Sequence, residues 1–383
     1  MRRLIFGILF IFGSIQQSAA QLVPYRLGDL WGFSDTSGKL VIQPVYALAD
    51  FFEHGVAFVK RDSFYYGINT KGEIITEAGV HYGRFENGLC PFTNNHKQSY
   101  YINASGKNAF NIVFNATENF SEGMAVVSMK NKCGIINTQG LWVREPDFDS
   151  SSLYFKSGYL LAKYKSKFIY INRWGKQLLL PDTIRPAGIF SEGLAAVYVE
   201  TRSLINNTLN VKTNLQFMDT AGHVVLSKFV HEGFDYADYL NYEKEFIDGK
   251  AIVNAANDLA FDRYFIDKKG QFSPLFSYAQ QIGDSLFLGV VGYMLPTIRL
   301  YNSTFDVMGD YSMQLSSVGK IGDGLIPIQN LAGYWGYSDD NSRLIIPFIY
   351  TSADAFKNGY AIIKSGGRLG VINTKGKEFF KGQ

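Results

Sequence analysis

The chain has 383 residues, 46% hydrophobic and 15% aromatic, with 31 Phe and 24 Tyr. That composition excludes a disordered chain and favours strands. The 37 basic and 34 acidic residues nearly cancel, which excludes the basic field that drives nucleic-acid binding.

At the N-terminus, Met1, Arg2 and Arg3 form a short positive region, followed by the apolar run Leu4 to Gly13. Ten apolar residues are too few for a bilayer-spanning helix but fit the hydrophobic region of a signal peptide. Ser18 and Ala20 suit cleavage ahead of Gln21, so residues 1–20 are expected to be removed. No later stretch approaches the length of a membrane helix. The mature chain is expected outside the cytoplasm, in the periplasm or at the surface of a Gram-negative-type bacterium, without a transmembrane helix.

From residue 31 onward one phrase recurs: Asn or Asp, two residues, then Gly. It occupies 35–38, 69–72, 103–106, 137–140, 172–175, 219–222, 267–270 and 373–376. Two further copies, from Asn302 and from Asp339, keep the polar residue and lose the Gly. The steps between Gly positions are 34, 34, 34, 35, 47, 48, 35, 37 and 34, about nine and a half copies of one unit. Asn or Asp accepts bonds from backbone amides further along a turn, and Gly takes φ > 0 without strain. The phrase therefore predicts a tight turn between antiparallel strands, a type I turn with a Gly bulge.

A second phrase interleaves with the first: Phe, two residues, Gly, then an apolar strand, as in 52–59, 85–92, 120–127, 155–162, 190–197, 246–253 and 356–363. Ile321 to Gly324 is a variant of it, and Ile282 to Ser285 a degraded copy. Strands with turn signals at short intervals predict an antiparallel meander. A single helical turn ahead of each Phe is compatible with segments such as Tyr46 to Asp50.

The two long steps mark extra segments, one between Val199 and Gln216 and one from His231 to Lys244. The organisation expected is a signal peptide (1–20), repeats one to five (21–199), an irregular region with two insertions (200–245), and repeats continuing to a C-terminal half-repeat cap (246–383). Insertions in repeat arrays map to loops and often to a functional face, though a longer hairpin without a role fits equally well.

These phrases resemble the bacterial WG repeat, also called the KWG repeat. Trp31, Gly32 and Phe33 with the Asp35–Lys39 turn match its diagnostic run, as do Trp335 to Tyr337 and Phe190 to Ala195. The Trp-Gly pair is intact only twice; elsewhere Tyr66, Cys133 or Leu369 stands for Trp, or the Gly is lost. The resemblance implies a repeat fold and no established activity.

Each unit is too small to bury its apolar face alone, so neighbours must stack. A unit of 34 residues is short for a propeller blade of 40–45, and the unit count exceeds the usual ring. The expectation is therefore an all-β, open superhelical solenoid of hairpin units. The alternative is a closed propeller-like ring, in which the terminal half-unit closes the ring by strand exchange.

No residue is assigned a catalytic, cofactor-binding or metal-binding role. His54, His81, His96, His223 and His231 do not pair at ligand spacing. No phosphate loop, nucleophile elbow or zinc motif occurs. Cys90 and Cys133 lie at different places in the repeat, which favours buried thiols over a bridge. Glu122, Glu192, Asp248, Asp284 and Asp323 share the place before the second-phrase Gly. They read as turn acceptors, since His54, Asn87, Ser157 and Asn358 fill the same place in other copies. Trp31, Tyr66 and Trp335 read as core rather than as a ligand-stacking stripe. Asp339, Asp340 and Asn341 lack the later ligands of a calcium loop. The function expected is a non-catalytic binding or scaffold module for an envelope protein or glycan, without cofactor or nucleic acid. A hydrolase-like enzyme with a loop-assembled site, or a component of a surface assembly, is the alternative.

Overall fold

Two kinds of tight turn set the strand pattern, and each comes from one of the repeated phrases. In the computed structural model, residues 21–205, 208–226, 245–254, 263–271, 273, 276–292, 297–311 and 315–382 are described. All regular structure among them is β, and no helix is long and apolar enough to cross a membrane.

The Asn/Asp phrase forms the predicted bulged turn. Asp35 Oδ1 accepts from the amides of Ser37 at 2.9 Å and Lys39 at 3.0 Å, and Gly38 sits at φ 89°. Asn69, Asn137, Asn172, Asp267 and Asn373 do the same. The Phe phrase is tighter. Glu53 and Val56 exchange both backbone bonds around His54 at φ 50° and Gly55 at φ 84°. Two consecutive residues at positive φ make a two-residue type I′ hairpin, whose twist matches the flanking strands.

These turns string the chain into units of up to four antiparallel strands, here a to d in chain order. Unit 4 shows the full pattern: Ala116–Thr117, Met124–Met129, Lys132–Asn137 and Trp142–Phe148. The Phe turn joins a to b and the Asn/Asp turn joins c to d. Tyr46 to Asp50 is no helical turn; Leu48–Ala49 is the a strand of unit 2. The described residues form nine sheets, and the six-stranded one covers two units joined where Tyr65 pairs with Gly79. That makes ten successive units, one for each copy of the Asn/Asp turn.

The open superhelical solenoid does not form; the chain closes into the propeller-like ring. The last strand, Phe380–Lys381, pairs in parallel with the first, Val23–Leu27, through Arg26 with Phe380 and Leu27 with Lys381. Lys377 Nζ donates to the carbonyl of Ser37 at 2.9 Å, and Arg26 Nε to that of Leu369 at 2.6 Å. One buried cluster combines Val23, Phe33 and Tyr46 of unit 1, Val59 and Ile68 of unit 2, and Tyr360, Val371 and Phe379 of unit 10. The other clusters each join two neighbours, so a continuous core runs around the ring.

The physical reason is visible within the unit. Four strand positions fit into 34 residues because the outer strands shrink. In four units the fourth strand is a single bridge: Ile68 with Ile74, Ile102 with Asn108, Ile171 with Gln177 and Ile372 with Glu378.

The interlock between units is aromatic. In five copies the Phe of the Phe turn packs on the c-strand ring of the preceding unit: Phe52 on Phe33 at 4.8 Å, Phe120 on Tyr101 at 4.8 Å, Phe190 on Tyr170 at 4.7 Å, Phe246 on Phe217 at 4.9 Å and Phe356 on Tyr337 at 4.7 Å. Burying one such side chain contributes about 1.5–3 kcal/mol, and a tilted aromatic pair about 0.5–1.5 kcal/mol more. Where the c-strand ring is Tyr, its hydroxyl donates to the carbonyl two residues ahead of the next unit's Phe: Tyr101 to Glu118 at 2.6 Å, Tyr170 to Gly188 at 2.6 Å and Tyr337 to Asp354 at 2.9 Å.

Candidate binding surfaces of the ring

Alternating strand direction gives the ring two unlike sides. The a–b and c–d turns lie on one side. The b–c hairpins and the links between units lie on the other.

On the first side the Phe turns form a hydrogen-bonded girdle. Glu122 accepts from the amides of Ser157 at 2.8 Å and Gly158 at 2.7 Å, both in the next turn along. Ser157 Oγ accepts from Gly193 N at 3.0 Å, Glu192 from Gly249 N at 2.9 Å and Asp323 from Gly359 N at 2.6 Å. Three of the five acidic residues singled out in the sequence, Glu122, Glu192 and Asp323, are thus acceptors, but the amides belong to the neighbouring turn rather than to their own; Asp248 Oδ2 is buried and accepts no bond among the described residues. Burial alone would raise the Glu192 carboxyl; the bond from Lys268 and the amides of Gly249 and Asp248 outweigh it and hold it below its ordinary value. Unit 1 has no such turn among the described residues. Lys357 of unit 10 spans that gap to Glu53 of unit 2 at 3.0 Å.

Sequence reasoning missed a second set of carboxyls. Asp50, Glu118 and Asp354 each stand two residues before the Phe, and their amides bond to b-strand carbonyls of Phe58, Val126 and Ile362. Burial pushes all three carboxyls up; Tyr82, donating to Asp50, partly offsets it there. The signal was an acidic residue at a fixed offset from the Phe in these copies.

The other candidates fall into the framework. Trp31 is buried against Tyr46 in the unit 1 core, Trp335 packs on the unit 9 core, and Tyr66 lies under Arg61 at 5.2 Å. Cys90 and Cys133 are free and occupy different clusters; burial pushes the Cys90 thiol up to about 12. His54 packs on Phe85, His81 and His96 are exposed, and His223 lies 3.6 Å from Asp219. Asp339 holds its own turn through Asn341 and Arg343. No group of three metal-ligating side chains occurs among the described residues.

Comparison with known proteins bears on this frame. A family model described as "WG containing repeat" matches residues 31–63, 101–133 and 335–368. The chain carries WG repeats at three places. Each matched segment begins at a c strand and runs through the a and b strands of the next unit. The WG repeat is therefore offset from the sheet it helps to build. Among solved structures, a eukaryotic initiation factor covers 94% of this chain and 95% of its own at 11% identity, with a TM-score of 0.51. That likeness concerns the fold alone. The computationally designed Ika8 protein (9% identity, TM-score 0.38, 93% of this chain and 100% of that one) and BamB from Moraxella catarrhalis (12%, 0.35, 76% and 97%) are more distant. No curated protein matches.

On the second side of the WG-repeat ring, unit 6 stands out. Its b and c strands, Leu194–Ile205 and Thr208–Asp219, pair over twelve positions. The a strand follows them only to Val199, and the d strand meets only Phe217 and Met218. Among the described residues no third strand pairs with the outer half of this hairpin, and it accounts for the first insertion. Leu204, Leu209 and Val211, on one face by register, are 74%, 60% and 48% exposed. Glu200 pins the base of that face through Arg185 at 2.9 Å and Arg202 at 3.3 Å. The second insertion, His231 to Lys244, lies outside the described residues.

Proposed function

We propose that this WG-repeat ring is a non-catalytic binding or scaffold module, exported to the bacterial envelope, that presents the long unit 6 hairpin to an envelope protein or glycan. The observation that carries the reading is the hairpin itself. A lone two-stranded hairpin is marginally stable in water, yet this one projects three apolar side chains on one face. Such a face is completed by a partner. Export is supported by the positive, apolar and small-residue pattern of residues 1–20.

Replacing residues 200–213 by Asn-Gly between Val199 and Asn214 keeps the unit 6 sheet and removes the projection. A photo-crosslinking residue at position 204 or 209 should trap one recurrent partner in cells, and the shortened chain should lose it. Crosslinks that are absent, or that persist unchanged from a ring position such as Phe168, overturn the reading.

A further inference from the structure

The side that carries the hairpin is unevenly charged. In units 3, 4 and 5, consecutive around the ring, Lys97, Lys130, Lys132, Lys163, Lys165 and Lys167 stand exposed on the b–c hairpins and the strand ends beside them. The nearby carboxylates are largely engaged. Glu77 accepts from Asn94 and Tyr100, and Asp149 is held by Lys132 at 2.5 Å, below its ordinary pKa. Among the described residues, Lys97, Lys130, Lys163 and Lys167 make no ion pair. Unit 2 continues the arc with Arg61, beside the exposed Asp62. On the opposite side Lys156 is paired with Glu245 at 2.7 Å, Lys268 with Glu192 at 2.9 Å and Lys357 with Glu53 at 3.0 Å, while Lys39, Lys71, Lys107 and Lys176 stand exposed at the c–d turns. Units 3, 4 and 5 thus carry a run of exposed lysines along one stretch of this rim.

We propose that this arc binds an anionic polysaccharide, a flexible chain whose carboxylates or sulfates recur along its length. The inference rests on the reading of the ring as a binding module and names its partner class. Charges repeated unit by unit along a curved rim suit a flexible polyanion, whereas duplex DNA is stiff over about 150 base pairs. Single-stranded nucleic acid needs open aromatic platforms. Here the tyrosines of units 2 and 5 lie under cations of their own hairpins: Tyr65 under Lys60 at 5.5 Å, Tyr66 under Arg61 at 5.2 Å and Tyr164 under Lys165 at 5.1 Å. The free cations are lysines, point charges without the planar fork that favours bidentate phosphate recognition.

The test is binding of the purified chain to polygalacturonate and to dextran sulfate, with neutral dextran and a single-stranded DNA oligonucleotide alongside. The wild-type chain should bind at least one anionic polysaccharide, ignore dextran, and weaken as salt rises. The variant K97E/K130E/K165E/K167E should bind at least about tenfold more weakly, since rim charges act through the screened field. The milder K97Q/K130Q/K165Q/K167Q should fall between, at unchanged melting temperature. The hairpin-shortened chain should bind as wild type. Absent binding, binding unaffected by charge reversal, tighter binding to the oligonucleotide, or loss on shortening the hairpin each overturns the arc. Each leaves the hairpin reading to its own crosslinking experiment.

Discussion

The glycine of the Trp-Gly pair is set by a contact between backbones. A Cβ on Gly32 would lie 2.3 Å from the Ile42 carbonyl oxygen, and on Gly336 2.5 Å from that of Ile346. Both glycines sit where the d strand slips register against the c strand, next to Pro44 and Pro347. The seven-residue fourth strands Leu40–Tyr46, Trp142–Phe148 and Leu344–Tyr350 all have glycine opposite, at Gly32, Gly134 and Gly336. Backbone cannot rotate away as a side chain can, so Gly336→Ala should destabilise the protein by about 1–3 kcal/mol, the overpacking range. An unchanged urea midpoint would refute this. The turn Asn and Asp residues were legible in the sequence because their bonds close within four residues. The glycine's reason was not, because the atom it must avoid belongs to another strand at a bulge that the sequence does not announce.

Between elements, the deciding contact is local in sequence although it joins two sheets. Phe52 meets Phe33, Phe120 meets Tyr101 and Phe356 meets Tyr337, pairs nineteen residues apart. The WG repeat is therefore the interface between units, and a sheet is assembled from two successive repeats. The strand-poor reading of a 34-residue step assumed that every strand in a propeller blade has full length. The two-residue a strands and single-bridge d strands were hidden, since one bridge leaves no alternating pattern. Closure follows the offset: the first described strand is a b strand, and the strand beside it comes from the other end of the described chain. Ending the chain at Glu378 removes Phe379, fully buried, and the strand beside Arg26. The loss should be at least about 3 kcal/mol, the cost of deleting a core Phe alone. Hydrogen exchange should rise first in Val23–Leu27 and Arg368–Asn373 while unit 5 stays protected. Uniform exchange across all units would contradict closure by this strand.

For the molecule as a whole, closure removes the distinction between end units and middle units. Each core cluster among the described residues is shared between neighbouring units, so each interface contributes the same kind of packing as the next. The position of the chain ends is then a matter of connectivity alone. Lys381 lies beside Leu27, and Val23 is the far end of the same five-residue strand. At about 3.3 Å per residue that separation is about 13 Å, within reach of a six-residue linker. New ends can be opened between Lys165 and Ser166, an exposed two-residue turn with φ 47° and 65°. A permutant of residues 21–382 joined and opened this way should fold with the β signature of the parent and melt within a few degrees of it. In an open array of ten units the same linker would have to span the whole row, and the permutant would not fold. A soluble permutant with parental melting therefore separates ring from row in one measurement, and an unfolded one would count directly against the ring.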